Sequence, residues 1–329
     1  MWRRNMAQRY DKGRGRSNMI QRLFTLLAAA LVIACAPVMN SPEADRQATP
    51  FELTAKERAD LTDDQIALAE TILDFLIRMD QKHFERAAAL NGGLALETKD
   101  FRYDFGHYQT KVTRGPVVEK IGRMMGSRTK PNTERLQQTQ FSRFFGIDIH
   151  PATPFAGMLH ATLVFQFFED GTSHIGGYVD ALPGEAMAEQ DIAMLKQTLD
   201  ARFDKHGVDG TKYRRSTCRT LGLYRGLNEG KYDRRGSCAG VNYYGPDMMP
   251  VTAANVAFID DAYDSFVTAY MDIIEARKDD PVTDEDIAAQ DGVRRNWFED
   301  QTMADPFAAE QIVPYEVWSH AFLPPVVKF

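Results

Sequence analysis

The stretch "HPATPFAGMLHATLVFQFFEDG", residues 150–171, decides the reading of the fold. After a proline-broken turn, Leu159, Ala161, Leu163, Phe165 and Phe167 alternate with His160, Thr162, Val164 and Gln166. Strand side chains point to opposite faces in turn, so the first set predicts a wholly apolar core side. His160 is then expected to point away from the main core. The next segment, "HIGGYVDALPG", also reads as a short strand, with Asp180 after a Gly-Gly pair and before Pro183, where backbone can approach a ligand closely. A histidine and a carboxylate are thus candidates for one cleft.

Working outward, "FRYDFGHYQTKVTRGPVVEKIG" (101–122) alternates and predicts strands joined by a turn at Arg114-Gly115-Pro116. "LTDDQIALAETILDFLIRM" opens with Thr62 and Gln65 at capping-box spacing and continues with Ile66, Ile72, Leu73, Leu76 and Met79, which predicts an amphipathic helix. A second long helix is expected from Ala253 to Lys278, with Phe258, Ile259, Ala262, Phe266, Tyr270, Ile273 and Ile274 on one stripe. No repeat or linker interrupts the chain after about residue 55. The simplest architecture is one α+β domain.

At 329 residues, 44% hydrophobic and 11% aromatic, the chain is long and apolar enough to bury a large core. Its front end differs from the rest. Arg22 precedes an apolar run from Leu23 to Ala34 that is short for a membrane span and reads as a signal peptide. "VIAC" (32–35) resembles the lipobox of bacterial lipoproteins, in which the cysteine, here Cys35, becomes the lipidated first residue. Residues 1–35 are therefore expected to be leader, 36–54 a tether, and 55–329 the folded domain, anchored by lipid to a membrane and facing the periplasm. If the leader is an ordinary N-terminus, the location is cytoplasmic.

Residues 1–35 carry seven Lys/Arg and one Asp, leaving 32 basic and 45 acidic residues and a net charge of −13. That balance argues against general nucleic-acid binding. Besides Cys35 there are only Cys218 and Cys238, enough for a single disulfide and no CxxC site. No GxGxxG, phosphate loop or HExxH occurs. His83, His107, His174, His206 and His320 lack metal-ligand spacing, so a zinc site is disfavoured. Against the acidic background, "KYRRSTCRTLGLYRGLNEGKYDRR" (212–235) concentrates eight cations. It suits a ligand bearing several carboxylates, or else is a solvated charged face.

Taken together, "GPVVEKIG" (115–122), "HPATPFAGMLHA" (150–161), "GGYVDALP" (176–183), "DKHG" (204–207), "RRGSCAG" (234–240), "AYMDIIEARKDDPVTDEDIAAQ" (269–290) and "EVWSHAFLPP" (316–325) resemble the oxygen-dependent coproporphyrinogen III oxidases of haem biosynthesis, in that family's order. The resemblance covers roughly residues 55–329. It implies a single domain with a flat antiparallel sheet of about seven strands, covered by helices on both faces, and a homodimer. It also implies an oxidoreductase that needs no metal or organic cofactor. Molecular oxygen is the co-substrate that converts two porphyrinogen propionates to vinyl groups. His160 matches the proton donor, and His150 a histidine sometimes given as a metal ligand. Asp180 matches the aspartate that holds the pyrrole N–H groups. Arg235, with Arg234 beside it, matches an arginine near the substrate carboxylates.

The chain departs from the family at several of these positions. Thr162, Leu163 and Val164 replace an Asn-x-Arg, so Thr162 stands where a substrate contact is expected and one carboxylate-binding arginine is gone. Gly146 replaces a serine, and Lys196 a histidine; the second Gly-Gly-Arg loop is not recognisable in "AAEQIVPYE". "EKIGRMMG" offers Arg123 as a new cation toward substrate. One lost charge-assisted hydrogen bond costs about 1.5–3 kcal/mol, so several could abolish normal binding. Two functions compete: a divergent oxidase acting on a carboxylated tetrapyrrole, and a catalytically altered, lipid-anchored tetrapyrrole-binding protein. The bland alternative is a structural lipoprotein with a satisfied strand histidine.

Overall fold

Alternation in residues 97–182 builds the frame. In the computed structural model, which describes residues 49–329 apart from 94, 132–136, 219–236, 300 and 302–312, seven strands pair antiparallel in chain order. They are β1 (Glu97–Tyr103), β2 (Gly106–Thr113), β3 (Val118–Arg128), β4 (Thr139–Pro151), β5 (Met158–Phe168), β6 (Ser173–Leu182) and β7 (Val241–Asn242). Seven helices are described: α1 (Ala55–Asp60), α2 (Asp63–Asn91), α3 (Glu189–His206), α4 (Gly210–Cys218), α5 (Ala253–Arg277), α6 (Asp284–Glu299) and α7 (Tyr315–Phe322). The α+β architecture with one open antiparallel sheet is as the resemblance implies.

The two faces of the sheet are chemically different. On one, Leu159, Leu163 and Phe165 of β5, each with no exposure, join Ile147, Ile149 and Val179 and pack beneath α2, α3 and α5. Each such side chain contributes about 1.5–3 kcal/mol by leaving water. α2 starts at the expected Thr62–Gln65 capping box, and α5 buries the whole expected stripe from Phe258 to Ile274. The other face is covered by α6 and α7, whose Trp297, Val317, Trp318, Ala321 and Phe322 form two smaller apolar clusters. His160 and Asp180 are on this second face.

The fold begins before residue 55. Arg143, fully buried on β4, donates to the carbonyls of Pro50 (2.8 Å) and Glu52 (2.7 Å) and to both oxygens of Glu57. Phe51 lies 4.9 Å from the Arg123 guanidinium. Residues 49–54 are thus part of the domain rather than the tether, because a buried guanidinium needs their carbonyls as acceptors. Among the described residues no helix is long and apolar enough to cross a membrane.

Candidate functional site

The register of β4, β5 and β6 builds the site. Asp148 is the cross-strand partner of His160, which in turn is the partner of Asp180. Directly opposed residues in an antiparallel sheet share a face. Asp148, His160 and Asp180 therefore form a row across three strands; the sequence offered the last two as candidates for one cleft and did not single out the first. Lys120 and His150, paired on β3 and β4, continue the same face.

His160 retains 8% exposure and sits in a ring of aromatics: Trp297 at 4.4 Å between ring centroids, Tyr178 at 5.6 Å and Phe322 at 6.3 Å. Its Nδ1 is 2.6 Å from Asp148 Oδ1, and Asp148 is fully buried. The space above His160, where the sequence placed a cleft, is occupied here by the Trp297 and Phe322 rings. Gly146 shows why. A Cβ there would come 2.7 Å from Phe322 Cζ, and one at Gly122 would come 1.8 Å from the Ala321 carbonyl oxygen. Bare backbone at these two positions lets α7 lie directly on the sheet.

Asp180 is placed differently from its expected role. Its carboxylate accepts from the Ala181 N–H (2.9 Å), the Gly240 N–H (3.1 Å), the Cys238 N–H (3.2 Å) and the Ser237 hydroxyl. It has no exposure, and burial pushes its carboxyl up to about 6 against the pull of those donors. Residues Ser237 to Gly240 thus wrap the carboxylate as a cradle, with Cys238 in a disulfide and at φ 59°. Where the resemblance implies pyrrole N–H groups, the described residues give the Asp180 carboxylate four protein donors, which anchor the β6–β7 junction.

Other expected residues divide in the same way. Arg123 is on the core face, not the His160 face: its Nε donates to Asp80 Oδ1 (2.9 Å), and its Nη atoms to the main-chain and side-chain oxygens of Gln109 (2.7 and 3.0 Å). Alternation with Ile121 and Met125 puts it there, so it is not a substrate cation. Thr162 is on the site face, and its Oγ1 accepts from the Tyr244 hydroxyl at 3.0 Å. His150 is fully buried, with the Phe322 main chain beside its ring. Burial, then the charges of Lys120 and Arg294, hold its pKa well below the usual value. Two cations are the wrong neighbours for a metal, and among the described residues no group of three His, Cys, Asp or Glu could hold one. The cavity beside His150 is about 10 Å³, near the size of one water. Arg234, Arg235 and Cys35 lie outside the described residues.

The basic run is partly neutralised where it is described. Arg214 pairs with Asp200 (2.7 Å) and Lys212 with Asp247 (3.3 Å). Lys196, paired with Asp200 at 3.0 Å, lines a groove of about 820 Å³ between α3, α4 and residues 237–239. Sequence reasoning missed Asp148, Trp297, Tyr178 and Lys120. The phase of "GIDIHP" carried a signal for Asp148, since Ile147 and Ile149 mark the opposite face. Lys120 is nearly unexposed, donates to the Leu323 carbonyl at 2.5 Å, and is held down to about 7 by burial and then by Arg114. Neither the models of known protein families nor the curated proteins match this chain.

Proposed function

We propose that the chain is a divergent, oxygen-dependent coproporphyrinogen oxidase-like protein, handling a carboxylated tetrapyrrole on the sheet face beneath α6 and α7. The observation that carries this reading is the placement of His160, backed by Asp148, on the floor of that face within the kind of sheet the resemblance implies. In the reaction, a propionate loses carbon dioxide and two electrons, which pass to oxygen. His160 would take up or deliver the accompanying proton, work suited to an imidazole because one ring nitrogen can donate while the other accepts. Trp297 and Phe322 would have to turn aside for a macrocycle to reach it. Lipidation at Cys35 would hold the domain at a periplasmic membrane surface, and a homodimer is part of the same proposal.

A second reading, a tetrapyrrole carrier without chemistry, is favoured by one observation: the Asp180 carboxylate is already filled by four protein donors. Incubating the protein with coproporphyrinogen III in air and without air separates the two. Vinyl product by mass with matching oxygen uptake is the expected result. Saturable porphyrin binding without product selects the carrier, and neither binding nor product rejects both.

A further inference from the structure

Asp148 comes from an unpromising place, the middle of "GIDIHP", flanked by the fully buried Ile147 and Ile149. Those two face the core, whereas Asp148 is buried on the other face, where an ionised carboxylate costs several kcal/mol unless it is hydrogen-bonded to a complementary group. The register supplies that group by setting Asp148 opposite His160. We propose that Asp148, not Asp180, is the carboxylate that serves His160, as a positioning residue that keeps the proton on Nδ1 and leaves Nε2 as the proton-exchanging atom.

The argument is one of donors and acceptors. An ionised carboxylate only accepts, so a 2.6 Å contact between Asp148 Oδ1 and Nδ1 places the ring proton on Nδ1. Nε2 is then the ring atom left to take up or release a proton. The aromatic ring of Trp297, Tyr178 and Phe322 fixes the plane of the imidazole, and Asp148 fixes its rotation. Asp180 is unsuited to this role because its donors are main-chain N–H groups and Ser237. The part Asp148 plays in turnover rests on the proposed oxidase reading; the tautomer it imposes does not.

The test uses the whole protein labelled with 15N at histidine, with His160 assigned by the resonance lost in His160→Gln. The expected result is a ring that carries a proton on Nδ1 in the wild type, and a shift toward the form protonated at Nε2 alone in Asp148→Asn. With coproporphyrinogen III in air, Asp148→Asn is expected to lower kcat about 100-fold with little change in KM and an altered pH profile, and Asp148→Glu to recover part of the rate. A wild-type His160 protonated at Nε2 alone overturns the proposal, and needs no variant to fold. Wild-type ring shifts and kcat in Asp148→Asn overturn it as well. If the Nδ1 tautomer is found but no variant or wild type yields vinyl product, the positioning role of Asp148 stands and the oxidase reading falls.

Discussion

Residues on the two faces of one sheet have been sorted by phase, and phase is legible in sequence. The alternation of β5 placed His160 away from the core correctly. The same rule applied to "EKIGRMMG" would have put Arg123 with Ile121 and Met125 on the core face, where Asp80 receives it. Register between strands is another matter: the pairing of Asp148 with His160 depends on the Pro154–Ala156 turn, which no periodicity reports. Asp180→Asn should destabilise the fold by about 2–4 kcal/mol, because an amide nitrogen would face N–H donors that the carboxylate now satisfies; chemical denaturation measures it. His83 gives a pH signature. Burial, the dominant cause, lowers its pKa to about 4 from 6.5, so between those values the unfolded chain binds a proton that the folded one refuses. Its contribution should fall as pH drops from 6.5 to 4, and His83→Gln should flatten that part of the curve in urea titrations.

At the scale of elements, helices α2 and α5 were legible because capping boxes and stripes are local signals. α7 was not, since its seat is made by Gly122 and Gly146 on distant strands and by ties that only the fold creates. Those ties are His320 to Glu97 (3.1 Å), Tyr103 to Glu316, and Lys120 to the Leu323 carbonyl. The Lys120 tie carries a cost, because its ammonium is buried. With its pKa lowered to about 7, the unfolded chain binds more protons than the folded one from pH 7 to 10.5, so stability from this group rises with pH across that window. The difference in stability between wild type and Lys120→Met should therefore change in favour of wild type from pH 7 to 9. A constant difference would show that Lys120 keeps its ordinary proton affinity. By contrast the α2–α5 ladder, Arg78–Asp260, Lys82–Asp264 and Arg86–Asp272, is largely exposed. Removing any one pair should cost at most about 1 kcal/mol, and less in high salt.

For the whole molecule, composition and alternation disclosed an α+β domain, whereas the part that residues 49–54 play in it was hidden, because Pro50 and Glu52 look like tether until their carbonyls are seen to be taken by Arg143. Cys35→Ser should abolish incorporation of labelled fatty acid in a bacterial host and release the protein from membranes; retained label would remove the lipid anchor from the account. The central claim is that a carboxylated tetrapyrrole is received on the His160 face. Hydrogen exchange with and without coproporphyrin III tests it most directly. The account predicts altered exchange in α6 and α7 and in the β5–β6 pair beneath them. Changes confined to the α3–α4 groove, or none at saturating porphyrin, would contradict it.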